Sequence, residues 1–281
     1  MNPAAPTLDW SVDSNSVLSV DGVRLETRCY GPPPDKAATI VLLHEGLGCI
    51  DRWKDIPQKL VDVTGHGVFV YSRQGYGRSE PAELPRPVDY MTIEAVDVLP
   101  KVLDTIGFES GVLMGHSDGA SIASIYLGTV IDKRVRGLIL IAPHFFTEPQ
   151  QLSAIRQTKD TYEQTNLREK LARYHDDVDK AFFGWNDAWL NPDFQDWNIS
   201  DSIEYWRVPV LVLQGMQDKY GSIAQINEIE NRIYAPLDVV LLENCQHSPH
   251  LEQTDITLNA IADYLQRLTR IENELVTIPS V

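Results

Sequence analysis

The chain of 281 residues has little cysteine: Cys29, Cys49 and Cys245 are widely spaced, form no C-x-x-C pair and are odd in number. That excludes a disulfide framework and a cysteine-based zinc site, and it suits a reducing compartment such as the cytoplasm. Histidines are also few, and none has a metal-binding spacing. His247 and His250 are three apart, and His44-Glu45 lacks the second histidine of H-E-x-x-H. No metal and no cofactor is therefore expected. Basic residues are scarce against acidic ones, 24 to 40, for a formal net charge of −16. Such a surface repels phosphate backbones and anionic lipid, so neither nucleic acid nor membrane is expected as a partner. The expected partner is a small-molecule substrate, with the oligomeric state open and a homodimer included. No apolar run approaches the ~20 residues that span a bilayer. Met1–Trp10 lacks the basic and apolar regions of a secretory signal. No internal repeat or low-complexity segment occurs.

What is present is an alternation. Short apolar runs at Thr39–Leu43, Val68–Tyr71, Gly111–Met114, Val135–Ile141, Val208–Leu213 and Val239–Leu242 are continuous rather than alternating, as strands buried on both faces are. Helix-like stretches lie between most of them, at Arg52–Val61, Met91–Thr105, Ala120–Val130 and Ala224–Ile233, and Thr254–Ile271 reads as a long amphipathic helix. The alternation predicts a doubly wound, mostly parallel α/β sheet. Val17–Val20 and Val23–Tyr30 flank Asp21-Gly22, a hairpin signal that predicts an antiparallel edge. From Phe145 to Trp206 the rhythm breaks. This stretch is helical and charged over Thr158–Asp179, then aromatic, and holds four of the chain's six tryptophans. It reads as a helical cap, 145–206, inserted into a core of 1–144 and 207–281. Most of its aromatics pack the cap down, while two or three face substrate, with Trp185 and Trp189 the candidates.

Ligands of open α/β sheets bind beyond the carboxyl ends of the strands. Directly after Gly111–Met114 stands Gly115-His116-Ser117-Asp118-Gly119, a G-x-S-x-G element between strand and helix. A serine at such a turn is pushed out with its hydroxyl exposed, and a side chain at either glycine would collide with the neighbouring strand or helix. Three more loops follow strands in the same way: His44-Glu45-Gly46-Leu47-Gly48, Gln214–Gly221 with Asp218, and Glu243–His250 with His247. The order Ser117, Asp218, His247 is that of nucleophile, acid and base in a Ser-Asp-His triad.

With these residues the chain resembles an α/β-hydrolase-fold enzyme with a helical cap, of the esterase and meta-cleavage-product-hydrolase group, over about Val17 to Leu268. The resemblance implies that Ser117 is the nucleophile, Asp218 the triad acid and His247 the base. In the last of these loops Gln246 replaces the family's usual glycine. It also implies an oxyanion hole from the backbone N–H of Asp118 and, after the first strand of the core, of Gly46. Relatives have His-Gly in that loop where this chain has His44-Glu45. Glu45 therefore either turns away to a structural hydrogen bond or sits in the pocket with His144. His250 rivals His247 as base and Glu148 rivals Asp218 as acid. His44 and His116 read as structural, and Cys245 as a small buried residue. Ser72–Ser79 resembles the family's D-x-x-G-x-G-x-S loop, and lacks the spacing of a phosphate cradle.

The activity implied is cofactor-independent hydrolysis of a small or medium, partly apolar carboxylic ester through an acyl-enzyme. The same triad serves C–C, lactone, amide and thioester cleavage. Dehalogenases and epoxide hydrolases of this fold use an aspartate nucleophile, so Ser117 argues against both. A ligand-binding sensor that retains the triad is the alternative of another class.

Overall fold

The computed structural model describes residues 8–10 and 15–276; Met1–Thr7, within the stretch read for a signal, lie outside them. The chain opens with β1 (Ser16–Val20) and β2 (Val23–Tyr30), an antiparallel hairpin. Its turn residues Asp21 and Gly22 both have positive φ, 51° and 86°, as a tight two-residue hairpin turn requires. β3 (Thr39–Leu43), β4 (Gly67–Tyr71), β5 (Gly111–His116), β6 (Val135–Ile141), β7 (Val210–Gly215) and β8 (Leu237–Leu242) follow. The described residues form one eight-stranded sheet in the order β1-β2-β4-β3-β5-β6-β7-β8. β2 is antiparallel to β4, and every pairing from β4 through β8 is parallel.

Helices pack on both faces of the sheet. They are α1 (Ile56–Thr64), α2 (Tyr90–Ile93), α3 (Leu99–Thr105) and α4 (Asp118–Thr129). A π-helical turn, Glu94–Val98, joins α2 to α3, so the helix expected over 91–105 runs through but is not uniformly α. The sheet's central strands β3, β4 and β5 are buried at every position, which is why their sequences are unbroken apolar runs.

Between β6 and β7 the chain folds as α5 (Pro149–Gln164), α6 (Leu167–Leu171) and α7 (Val178–Trp189), then short 3₁₀ turns to Tyr205. Helix occupies more of this segment than its charge pattern over 158–179 suggests. It begins nine residues earlier, where Glu148 and Gln151 form a capping box on Pro149, and the aromatic stretch is itself helical in α7. The aromatics cluster within the segment itself: Tyr162 stacks on Phe182 at 3.7 Å, and Trp189 packs against Phe194 and Trp197. After β7 come α8 (Ile223–Arg232), α9 (Pro249–Glu252) and α10 (Thr254–Val276). Among the described residues no helix is long and apolar enough to cross a membrane.

Candidate active site

Four loops meet at the carboxyl edge of the parallel strands. The β5–α4 turn carries Ser117 at φ 55°, ψ −117°, a strained conformation for a residue with a Cβ. The flanking glycines permit it. A Cβ on Gly119 would lie 2.0 Å from the Leu43 carbonyl oxygen of β3, and one on Gly115 2.2 Å from the Gly119 carbonyl oxygen. Neither neighbour can give way, because both are backbone. The first N–H groups of α4, that of Asp118 among them, have no intrahelical acceptor and present the positive end of the helix dipole beside Ser117.

Asp218, in the β7 loop, is buried, and its Oδ2 accepts a 2.7 Å hydrogen bond from His247 Nδ1. Its Oδ1 accepts from the Tyr220 N–H at 2.8 Å and its Oδ2 from Gln214 Nε2 at 3.2 Å. Burial pushes the Asp218 carboxyl up; His247, by charge and by hydrogen bond, outweighs it and leaves the pKa at about 2. A carboxylate so held fixes the His247 tautomer with Nδ1 protonated and Nε2 free.

Ser117, Asp118 and His247 line one cavity of about 200 Å³ together with Glu45, Gly46, Leu47, Arg52, His116, His144, Gln151, Ile155, Trp185, Trp189, Tyr220 and Ser248. Every site residue singled out from the sequence is on this wall except Asp218, which stands behind His247. Gly46 is pressed against the Trp185 indole, where a Cβ would fall 2.2 Å from the ring. A larger surface groove of about 1120 Å³ between α1 and α10 contains none of these groups.

Glu45 takes both of the positions open to it. It lines the cavity, and its Oε1 accepts from Arg52 Nε at 3.3 Å while Oε2 stands 3.6 Å from His116 Nδ1. Burial raises its carboxyl, but the nearby His116 ring and the Arg52 charge prevail and hold it well below the usual carboxylate range. The loop itself hangs from buried Arg73, whose guanidinium donates to the His44 and Glu45 carbonyl oxygens, the latter at 3.1 Å. His44 Nε2 accepts from the Arg73 N–H at 3.0 Å. Ser72 stands where the resembling loop has aspartate, and Glu26 of β2 supplies the carboxylate instead. Its Oε2 accepts from Ser72 Oγ at 2.9 Å and from the Arg78 N–H at 3.0 Å.

The rivals are engaged elsewhere. His250 is buried with its ring 5.0 Å from Trp53 and 4.8 Å from His116. Glu148 accepts from the Ser222 N–H and hydroxyl at 3.0 and 2.5 Å and from Gln225 Nε2 at 2.8 Å, clasping the start of α5 to the start of α8.

Three features escaped sequence reasoning. Ser117 Oγ has its hydrogen bond with His144 Nε2, at 3.3 Å, rather than with His247. The Asp118 side chain accepts from Tyr90 Oη at 2.5 Å and from Trp189 Nε1 at 3.2 Å. Gln151 faces the cavity. The last had a readable signal in Glu148-Pro149-Gln150-Gln151, a helix start; the other two join residues with no periodic relation in the chain.

A family model described as alpha/beta hydrolase fold matches residues 38–178, half of the chain. The chain belongs to the α/β-hydrolase family. Among curated relatives it is 29% identical over 109 residues to epoxide hydrolase B of Mycobacterium tuberculosis, covering 38% of this chain and 29% of that protein. It is 29% identical over 113 residues to a proline iminopeptidase of Lactobacillus delbrueckii subsp. lactis, covering 40% of this chain and 38% of that one. The chain thus aligns with about a third of the length of these relatives. Among solved structures, a proline iminopeptidase of Mycobacterium smegmatis superposes with a TM-score of 0.70 at 16% identity, over 91% of this chain and 98% of that one. Hydrolase chemistry is common to these relatives, and the bond cleaved differs among them.

Proposed function

We propose that this α/β-hydrolase is a serine hydrolase acting on a small carboxylic ester through an acyl-enzyme, with Ser117 as nucleophile, His247 as base and Asp218 as its orienting acid. The observation that carries the reading is the Asp218–His247 hydrogen bond of 2.7 Å behind a cavity that Ser117 and His247 both line. His247 Nε2 takes the Ser117 proton as Oγ bonds to the substrate carbonyl carbon. The carbonyl π pair moves to oxygen, which faces the N–H groups of Gly46 and Asp118. Proton return from His247 to the leaving alcohol gives the acyl-enzyme, and water attacks it by the reverse sequence.

The cavity, at about 200 Å³, is smaller than the ~300–1,000 Å³ usual for ligand sites and therefore favours short acyl groups. Segment 145–206 is read as a cap that supplies Trp185, Trp189, Gln151 and Ile155 to the wall, over a core of 1–144 and 207–281. The ester is preferred over an epoxide because the elbow carries serine. Three free, buried cysteines accord with work in a reducing compartment, the cytoplasm.

Short-chain p-nitrophenyl esters test the reading. The wild type should turn over many times, and Ser117→Ala should lose at least ~10³-fold in kcat. A Ser117→Ala variant that keeps its activity overturns the nucleophile; a single turnover with no steady state would indicate a binding protein.

A further inference from the structure

His144 is placed at the nucleophile by its own piece of strained backbone. It follows Ala142, which leaves β6 at φ 47°, a left-handed conformation unusual for a residue with a side chain. Ser117 leaves the adjacent β5 in the same way, at φ 55°. The two turns are tied together. The Ser117 N–H donates to the Ile141 carbonyl oxygen at 2.9 Å, and Ser121 Oγ donates to the His144 carbonyl oxygen at 2.7 Å. Backbone strain at each turn persists only where the surroundings over-determine it. Here it points two side chains at one spot, with Ser117 Oγ 3.3 Å from His144 Nε2.

The imidazole is then boxed in. Its ring lies parallel to that of His247 (18° between planes, centroids 5.7 Å apart), and the Trp189 indole meets it edge-on at 5.7 Å. Behind it, Gly221 leaves room that a Cβ would close to 3.0 Å from Cε1 and 3.2 Å from Nδ1. Nδ1 is buried and has no hydrogen-bond partner. Burial, with the neighbouring His247 charge, drives the ring's pKa down to about 3, although Asp218 opposes this, so His144 stays neutral where esterases work. A neutral imidazole has one N–H. Placed on Nδ1, that donor would be buried and unpaired; placed on Nε2, it meets Ser117 Oγ and leaves only an acceptor bare, the cheaper arrangement.

We propose that His144 is a second catalytic histidine, one that never carries a proton across: its Nε2–H donates a standing hydrogen bond to Ser117 Oγ and stabilises that oxygen as it leaves the acyl group. The inference rests on Ser117 being the nucleophile. In deacylation, water gives a proton to His247 and its oxygen bonds to the acyl carbon. The tetrahedral intermediate then collapses, the C–Oγ bond breaks with its electron pair passing to Oγ, and the His247 imidazolium protonates that oxygen. Negative charge builds on Oγ during the last step, and His144 Nε2–H is aimed at it. In the resting enzyme the same bond leaves the hydroxyl proton free for His247.

The test compares wild type, His144→Phe and His144→Gln in stopped-flow hydrolysis of p-nitrophenyl acetate, with thermal melting of each variant. Phenylalanine keeps the ring and removes the donor. It should slow the steady state about 10- to 100-fold, the effect of one hydrogen bond to a developing charge, while the burst of acylation falls much less. Glutamine places its Nε2 near that of histidine and should recover most of the lost deacylation rate, which a role in packing alone would not do. Unchanged deacylation in His144→Phe, an equal fall of both phases, or glutamine as slow as phenylalanine would each overturn the proposal. Fluorophosphonate labelling of the wild type separates the premise from the inference. Failure to label Ser117 sinks the nucleophile assignment itself, whereas labelling at Ser117 with unchanged deacylation in His144→Phe sinks only the role of His144.

Discussion

Ser117 sits among four histidines, and each does something different because of what its other nitrogen meets. His247 Nδ1 is on Asp218, and His116 Nε2 is 2.7 Å from the His247 carbonyl oxygen, holding that loop from below. His144 is on Ser117 itself, and His250 lies behind, against Trp53. Replacing His247 with alanine should therefore cost ~10³-fold or more in kcat with little change in melting temperature. Replacing His250 should leave kcat within about tenfold and instead lower stability by roughly 2–4 kcal/mol, through the cavity it opens. Paired kinetics and calorimetry on the two variants check this, and the opposite pattern would move the base to His250. Chain order and strand ends were enough to make His247 and Asp218 legible. The Ser117–His144 bond was not, because it depends on two positive-φ turns at neighbouring strand ends. An alanine at φ 47° leaves no trace in sequence, where a glycine would.

At the scale of elements, the strands were the readable part. Central parallel strands are apolar on both faces, so each announces itself as an unbroken run, and all eight lie within a few residues of where composition places them. The inserted segment was less legible. Its α5 is mostly exposed, its buried stripe mixes Gln151 and Thr158 with Ala154, Ile155 and Tyr162, and its capped start is anchored by distant partners. Glu148 is the clearest of these, joining α5 to α8 through three hydrogen bonds. Glu148→Ala should lower stability by about 1–3 kcal/mol while leaving kcat within an order of magnitude. Asp218→Asn should do the reverse, cutting kcat by ~10³–10⁴-fold. A Glu148→Ala enzyme as inactive as Asp218→Asn would return Glu148 to contention as the acid.

For the whole molecule, buried histidines set the response to acid. Burial is the first cause of lowered pKa values at His44, His144, His175 and His250, followed by nearby positive groups for all but His175. A histidine depressed in the fold binds its proton more readily when unfolded, so stability rises with pH across the gap between the two pKa values. Little changes above ~6.5, the unfolded value, and stability is lost as pH falls from there towards about 3 for His144. Each such group contributes a slope of at most ~1.4 kcal/mol per pH unit. Asp218 adds to the loss only lower, between ~3.9 and about 2. Urea midpoints should thus fall steadily from pH 7 to pH 5, and His144→Phe should flatten that fall by close to one proton. A midpoint constant over this range would contradict it.

The carboxylate of Asp118 has a consequence for how such an enzyme can change. In the proposed mechanism its backbone N–H serves the oxyanion, while its side chain is shared between Tyr90 and Trp189. Trp189 also forms part of the wall that substrates meet. Selectivity and turnover are therefore joined at one residue. A lineage that reshapes the pocket by replacing Trp189 releases a buried acid one position from the proposed nucleophile Ser117, and must find it a new donor before rate recovers. Variation in substrate range should accordingly concentrate on Ile155, Leu47 and Trp185, whose side chains can be exchanged without touching that bond.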